Sequence, residues 1–468
     1  MFNKFLEFVR DIIKRMFNSD TIKSKLNTDV IMSSDMSEAI NTWALMYQNK
    51  SPWIDNKTQS LGLAASIASE ISRLVTMEFK SEITGSPRAD YINKTYQKVV
   101  DISKDKIEKA AALGGIFIKP YLSDKKIIVE FVIADNVYPT ITDDNDNIRG
   151  AAFIQRVQKG KQWFTRFEHH YFDNEGIYWI KNRAYQSNSI DNIGSEISLE
   201  SVPEWESITA DVSILDLVEP LFAYLKMPIA NSIDSSSPLG ISVYGRAVDL
   251  IKEADKQYSR LLWEFEGTEL AIDADESMFK LNTETGRRIL PKGKERLFRA
   301  LSSADGKMFE VFSPTIRDTN IINGLNRILQ RIEFSCGLAY GTLSDPASVE
   351  KTAEEIRASK QRSYALVCDI QKNMRVALEK LVYIIDVFCT LYKLAPTGKY
   401  EISFEFDDSI IADRNREYQE KKELVTMGVL KDWELRMWYN GETEEESKKM
   451  LGYDENGNKP LNNNLFGT

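Results

Sequence analysis

The chain has 468 residues, of which 43% are hydrophobic and 28% charged, apolar material enough for roughly two to four domains and too much for global disorder. Its formal charge of −10 excludes a protein that grips nucleic acid over its whole surface, because tight phosphate binding needs clustered Lys and Arg. Its cysteines, Cys336, Cys368 and Cys389, sit among apolar neighbours and form no Cys-x-x-Cys pair, which speaks against a disulfide framework or a zinc site and fits a reducing cytosol.

At the start, Phe2, Phe5, Leu6, Val9, Ile12, Ile13, Met16 and Phe17 recur at helical spacing, predicting an amphipathic helix that docks on protein rather than on a membrane surface. Lys4, Glu7, Arg10 and Asp11 interrupt any apolar targeting core. Residues 36–79 read as further helix, broken at Ser51-Pro52, since proline restricts its predecessor and cannot continue a hydrogen-bonded turn. From Gly115 the period changes: 116–121, 126–133, 151–157, 162–172 and 176–185 are short, rich in β-branched and aromatic residues and separated by Gly, Asn and Asp, predicting one antiparallel meander.

Helix returns after Pro238-Leu239-Gly240. Val243, Ala247, Leu250, Ile251, Ala254, Tyr258, Leu261, Leu262 and Phe265 form an apolar stripe, with Arg246, Asp249, Glu253, Lys256 and Arg260 on another face. A mixed segment at about 267–316 follows. A second stripe of Ile321, Ile322, Leu325, Ile328, Leu329 and Ile332 then leaves Asn320, Asn323, Arg327 and Gln330 turned away. Two such helices, packed antiparallel along their stripes, hold an inserted lobe at one end, a stalk with a tip. The loop Tyr340-Gly341-Thr342-Leu343-Ser344-Asp345-Pro346 leads into a helix from about Val349 to Tyr392, roughly 65 Å long and suited to spanning a large assembly. A strand at 400–406 and a polar helical tail close the chain, with the residues from Asp454 reading as disordered.

Catalytic chemistry finds no support in the sequence. A phosphate-binding loop would need Gly-Lys-Ser or Gly-Lys-Thr, and the nearest segment ends in Gly293-Lys294-Glu295. The histidines His169 and His170 are adjacent on a predicted strand, pointing to opposite faces, and make no two-histidine metal site. Asp143, Asn145 and Asn147 imitate the start of a calcium loop, but Ile148 occupies its glycine position and Ile154 its bidentate glutamate position, so a plain turn is expected. Asp407 and Asp408 lack the third carboxylate and basic partner of a magnesium nuclease. No enzyme, cofactor or metal is expected, and Leu381–Ile385 is far too short for a membrane span.

Several motifs resemble, in order, those of the portal proteins of tailed bacteriophages, in the group found in phages of Gram-positive bacteria. They are Trp43, Tyr47 and Pro52-Trp53; Ala112-Leu113-Gly114-Gly115 with Ile118-Lys119-Pro120-Tyr121; and Leu225-Lys226-Met227-Pro228 with Asn231 and Ser237-Pro238-Leu239-Gly240-Ile241-Ser242. Thr352-Ala353-Glu354-Glu355-Ile356 follows, departing from the pattern at Glu354, and then Asp407-Asp408-Ser409-Ile410 with Asp413-Arg414. The resemblance spans about 36–452. It implies an α+β fold of mixed wing, helical stem, inserted clip, long spanning helix and helical crown, built into a ring of about twelve subunits by one repeated heterologous contact. The ring would surround double-stranded DNA at one capsid vertex of the virion, for DNA packaging and ejection.

On this reading the segments are an N-terminal helix and linker (1–35), wing (36–238), stem (239–266), clip (267–316), stem (317–338), tunnel loop (339–348), long wing helix (349–396) and crown with tail (397–468). The implied partners are the terminase large subunit, the head-tail connector and the major capsid and scaffolding proteins, with assembly in the host cytoplasm and no membrane. The other readings are a head or tail structural protein without a channel, or a DNA-processing enzyme. Tyr340, Gly341, Thr342, Leu343, Ser344 and Asp345 are the expected channel loop, with Thr342 and Ser344 offering neutral hydrogen bonds to phosphate and no Lys or Arg to trap DNA. Glu253, Lys256 and Arg260 are the expected channel face of the stem. Arg287, Arg288, Lys292 and Lys294, in a basic run opposed locally only by Glu295, are the expected docking residues of the clip.

Overall fold

Residues 16–269, 271–275, 279–281, 288–289, 298–301, 309–312, 314–345, 353–406 and 414–453 are described by the structure, a computed structural model. The expected N-terminal helix up to residue 15, the pair Asp407 and Asp408, and the tail from Asp454 lie outside them; the last two positions of that expected helix, Met16 and Phe17, are buried but not helical. The chain divides into two compact units, Met1–Glu405 and Phe406–Thr468.

The first unit begins with helices that carry their own stop and start signals. Asn18 caps α1 (Ser19–Leu26) and Ser33 caps α2 (Ser34–Tyr47), each side chain accepting an N–H of the first turn. The helix expected across 36–79 stops at Tyr47 and resumes only in α3 (Leu63–Val75), so the break is wider than Pro52 alone predicts. The connecting residues are taken up elsewhere: Trp53 Nε1 donates to Asp255 Oδ2 (2.8 Å), the Leu61 N–H to Asp255 Oδ1 (2.8 Å) and the Gln59 N–H to the Ser259 hydroxyl (2.8 Å). After β1 (Lys80–Thr84) come α4 (Pro87–Asp101), with Ser86 as cap and Pro87 in its first turn, and α5 (Ser103–Leu113).

The expected meander is in fact two sheets. β2 (Gly115–Ser123) and β3 (Lys126–Ile133) form one with a later strand, β10 (Ala223–Lys226), in the order β10-β2-β3. The other has the order β4-β5-β6-β7-β8, from β4 (Val137–Thr142), β5 (Ile148–Lys159), β6 (Gln162–Phe172), β7 (Tyr178–Ser187) and β8 (Ser195–Ile197), with β9 (Asp211–Ile214) also on β7. β4 escaped the sequence reading because Pro139 demotes a strand; it is accommodated because β4 is at the sheet edge.

Between the sheets lies an aromatic core. Phe117 meets Phe153 and Phe222 edge-on or tilted at 5.7 and 6.0 Å, and Phe153 meets His170 at 5.4 Å. Charge is buried here as a closed cluster: Glu168 accepts from Lys119 Nζ (2.6 Å), Arg166 (3.0 Å) and His170 Nε2 (2.8 Å). Burial alone would raise the Glu168 carboxyl; Lys119, His170 and Arg166 outweigh it and hold Glu168 well below the usual carboxylate range. Tyr178 receives the Leu221 N–H (2.9 Å) and contacts His170 Nδ1 (2.8 Å). A neutral His170 with its proton on Nε2 satisfies every partner, and burial, against the pull of Glu168, lowers its pKa.

Two helices then bracket the lobe: α6 (Val248–Gly267) and α7 (Asp318–Ser335), in contact along their lengths. The lobe holds β11 (Ala271–Asp275), β12 (Lys280–Leu281), β13 (Arg288–Ile289), β14 (Phe298–Leu301) and β15 (Phe309–Phe312), with a three-stranded sheet ordered β14-β11-β15. α8 (Ala353–Leu391) has 39 residues, about 58 Å at 1.5 Å per residue. It packs across α3 and β10, donating from Gln371 to Val75 O and from Asn373 to Lys226 O. Its end is clamped by Arg88, which is buried and bonds Asp386 Oδ1 (2.6 Å), Asp386 O (3.0 Å), Ala395 O (2.7 Å) and the Thr390 hydroxyl. β16 (Glu401–Glu405) then returns to pair with β1. The second unit contains α9 (Arg414–Thr426), α10 (Asp432–Asn440) and α11 (Glu444–Met450); an ion pair from Arg436 of α10 to Glu442 (2.8 Å) fixes the turn between α10 and α11.

Candidate functional site

The motifs around Trp43, Gly114-Gly115 and residues 225–242 meet just before α6 begins. Gly114, at φ +85°, and Gly240 face each other main chain to main chain: a Cβ on Gly114 would lie 2.2 Å from Gly240 O, and one on Gly240 would lie 2.3 Å from Gly114 O. Backbone bonds seal the crossing, from Val243 N–H to Ala111 O (2.9 Å) and Met227 N–H to Gly114 O (3.0 Å), while the Gly240 N–H donates to the Tyr224 hydroxyl (2.9 Å). Tyr244 donates to Trp43 O (3.0 Å), Tyr47 to Glu108 (2.7 Å) and Asn231 to Leu239 O (3.1 Å). These residues therefore build one junction, which joins the start of α6 to α2, α5 and the sheet of β2, β3 and β10.

Along the stalk, several sequence expectations need correction. Phe265 and Ile322, expected on buried stripes, are exposed. Gln330, expected to turn away, is buried with Asn326 and Glu333, three polar side chains at helical spacing on one face of α7. On α6, Glu253 and Arg260 are exposed and Lys256 half-buried; Glu253 accepts from Lys256 Nζ at 2.7 Å, which lowers its pKa. At the far end, Glu264 takes both Arg317 Nε (3.0 Å) and Nη2 (2.9 Å), closing the neck where the lobe departs; the Arg317 guanidinium lowers the Glu264 pKa. Beside this clasp is a groove of about 660 Å³ lined by Arg260, Trp263 and Ile321 among others. Of the expected docking residues, Arg288 lies on β13, and Arg287, Lys292 and Lys294 fall outside the described residues.

The loop at 340–345 turns back on α7. Glu333, with no exposed surface, accepts at Oε1 from the N–H groups of Gly341 (3.1 Å), Leu343 (2.6 Å) and Ser344 (2.8 Å), and at Oε2 from the Ser344 hydroxyl (2.9 Å). Gly341, at φ +86°, supplies the left-handed turn that points these donors at one spot. The Asp345 N–H donates to Asn326 Oδ1 (3.1 Å), and Thr342 gives both its N–H (3.3 Å) and its hydroxyl (2.5 Å) to Ala339 O. Arg362 of α8 stacks over Phe334 (4.3 Å) and reaches the Tyr340 ring at 5.9 Å. Thr342 and Asp345 are exposed, Leu343 is half-buried and Ser344 buried. The expectation that Thr342 and Ser344 offer hydroxyl protons to phosphate differs from this geometry, in which both donate within the chain. Sequence reading missed Glu333 and Arg362; a Glu flanked by Ile332 and Phe334 at the end of α7 was the available signal.

Among the described residues no group of three His, Cys, Asp or Glu could hold a metal ion, and no helix is long and apolar enough to cross a membrane. His169 is buried, contacts the Thr140 hydroxyl (3.0 Å) and is pushed down to about 4 by burial and by the charges of His170 and Lys181. Asp143 accepts from the Asn145 and Asn147 N–H groups (2.9 Å each), the plain turn expected. A family model described as phage portal protein, SPP1 Gp6-like, matches residues 18–459. Among curated proteins none matches.

Proposed function

The chain belongs to the SPP1 Gp6-like family of phage portal proteins, and from that premise we propose how its parts divide the work. The family is structural, and its function is the channel at a capsid vertex through which DNA is packaged and ejected, with docking of the terminase motor and then of the head-tail connector. In this reading about twelve copies close into a ring through one repeated heterologous contact. Residues 36–238 and α8 are its wing, α6 and α7 its stem, 267–316 its clip and 397–468 its crown. The loop 340–345 is the narrowest lining of the channel, and Glu253, Lys256 and Arg260 are the stem's channel face. The clip docks the terminase large subunit and later the connector through Arg287, Arg288, Lys292 and Lys294. Major capsid and scaffolding proteins are the partners during assembly in the host cytoplasm.

One observation carries the loop assignment. Residues 340–345 contain no Lys or Arg, Thr342 is exposed, and the main-chain and hydroxyl donors of 341–345 are spent inside the chain. Such a surface lets phosphates pass, in keeping with an overall charge of −10. The experiment is a packaging assay on particles carrying Leu343→Lys, which sets a ring of cations on the track. Assembled rings with slowed or stalled packaging are expected; packaging at the normal rate would move the channel lining elsewhere. A second arm replaces Arg287, Arg288, Lys292 and Lys294 by Ser, expected to keep rings intact and weaken terminase binding at low salt; undiminished binding removes these residues from the docking site.

A further inference from the structure

We propose that Glu333 is the positioning residue of the channel loop, and that its carboxylate keeps the loop from holding DNA by occupying the site a phosphate would take. The inference rests on the reading of 340–345 as channel lining and says how that lining is kept inert. Successive N–H groups that converge after a left-handed residue form a concavity suited to an anion. Here that concavity is built by Gly341, Leu343 and Ser344, and an anion already fills it: one Glu333 oxygen takes all three N–H groups at 2.6–3.1 Å, and the other takes the Ser344 hydroxyl at 2.9 Å.

The remaining donors are spent too. Thr342 gives its N–H and hydroxyl to Ala339 O, and Asp345 gives its N–H to Asn326. All five N–H groups of 341–345 and both hydroxyls thus point inward, so the loop meets a phosphate oxygen with acceptors and a carboxylate rather than with donors. Three stem side chains enforce this. Glu333 and Asn326 hold the loop's main chain, and Phe334, next to Glu333, lies under the Arg362 guanidinium that also reaches Tyr340. A glutamate oxygen that accepts three N–H groups is hard to replace, because its removal strands three amides at once.

The test is amide hydrogen exchange on assembled full-length rings without DNA, which makes it independent of where the loop lies in the channel. In the unaltered ring the amides of Gly341, Leu343 and Ser344 are expected to exchange far more slowly than free peptide; exchange at the free-peptide rate overturns the proposal, whether or not any variant folds. Glu333→Ala is expected to speed exchange at these amides by about ten-fold or more, the loss of one net hydrogen bond apiece. Glu333→Gln, which keeps an acceptor oxygen, is expected to restore most of the protection. Inorganic phosphate added to Glu333→Ala rings is expected to slow the three amides again. Equal exchange in Glu333→Ala and unaltered rings, or no response to phosphate, overturns the proposal. If the amides behave as expected but Leu343→Lys leaves packaging untouched, the channel reading fails and Glu333 stands only as the holder of the loop.

Discussion

The two sheets settle the largely covered carboxylate of Glu168 with side chains they already hold in place: Lys119 from β2, and Arg166 and His170 from β6. The helices α7 and α6 settle Glu333 and Asp255 largely with loop main chain, through the N–H groups of 341, 343 and 344 in one case and of Leu61, beside the Trp53 indole, in the other. A charge cluster between strands fixes how two sheets sit together, so its loss is felt across the wing. A carboxylate that gathers loop amides fixes the path of the loop and leaves the helices' own hydrogen bonds intact. The fold's rigidity and the loops' conformations thus depend on different carboxylates.

The sharpest way to break the comparison is Glu168→Leu, which leaves the buried Lys119 and the largely covered Arg166 without their shared partner. The first unit is expected to lose about 3–5 kcal/mol, read as a large drop in its unfolding midpoint. A near-neutral result would mean that Glu130, 3.2 Å from Lys119, takes over. Acid comes next. His169 titrates at about 4 in the fold against about 6.5 in an unfolded chain, so the fold favours its neutral form. That contribution is fully present above pH 6.5 and lost as pH falls through 4, about 3 kcal/mol in all. The lowered pKa values of His170 and Glu168 act in the same direction. His169→Gln should flatten the stability profile between pH 6.5 and 4, and an unchanged slope would assign the acid sensitivity elsewhere. The smallest effect belongs to α6: Asp255→Ala leaves the Trp53 indole N–H and the Leu61 amide without their acceptor, and because both are half-buried and within reach of water the cost is about 1 kcal/mol each. Exchange should quicken at Leu61 while the wing strands keep their protection, whereas strand amides that quicken equally would erase the distinction between the regions.

The long periodic elements were legible. α6, α7, α8 and the strands β2, β3, β5, β6 and β7 follow from spacing, because burial of one helix stripe or strand face repeats at 3.6 or 2 residues. The site was legible only in outline. The loop's place between α7 and α8 follows from the chain, but Glu333 acts on backbone N–H groups, which every residue but proline carries and no motif records. Gln330 was turned the wrong way because the buried seam of α7 is polar, and a polarity pattern reads such a seam as solvent. The residues of 48–62 gave a proline break but no hint that Asp255 and Ser259, some two hundred positions away, complete the connection. Splitting the meander into two sheets required β4, and Pro139 hid it.

The crossing of Gly114 and Gly240 bears on how a ring shuts. A side-chain contact at that root could adjust by changing rotamer, and each copy could settle at a slightly different angle. A contact of main chain on main chain has no rotamers, so the direction in which the stalk leaves the wing is the same in every copy to within the play of the backbone itself. In a closed assembly any angular error repeats at every joint and accumulates around the circle. Two residues without side chains therefore set, within each copy, the angle at which α6 departs, with main-chain atoms alone.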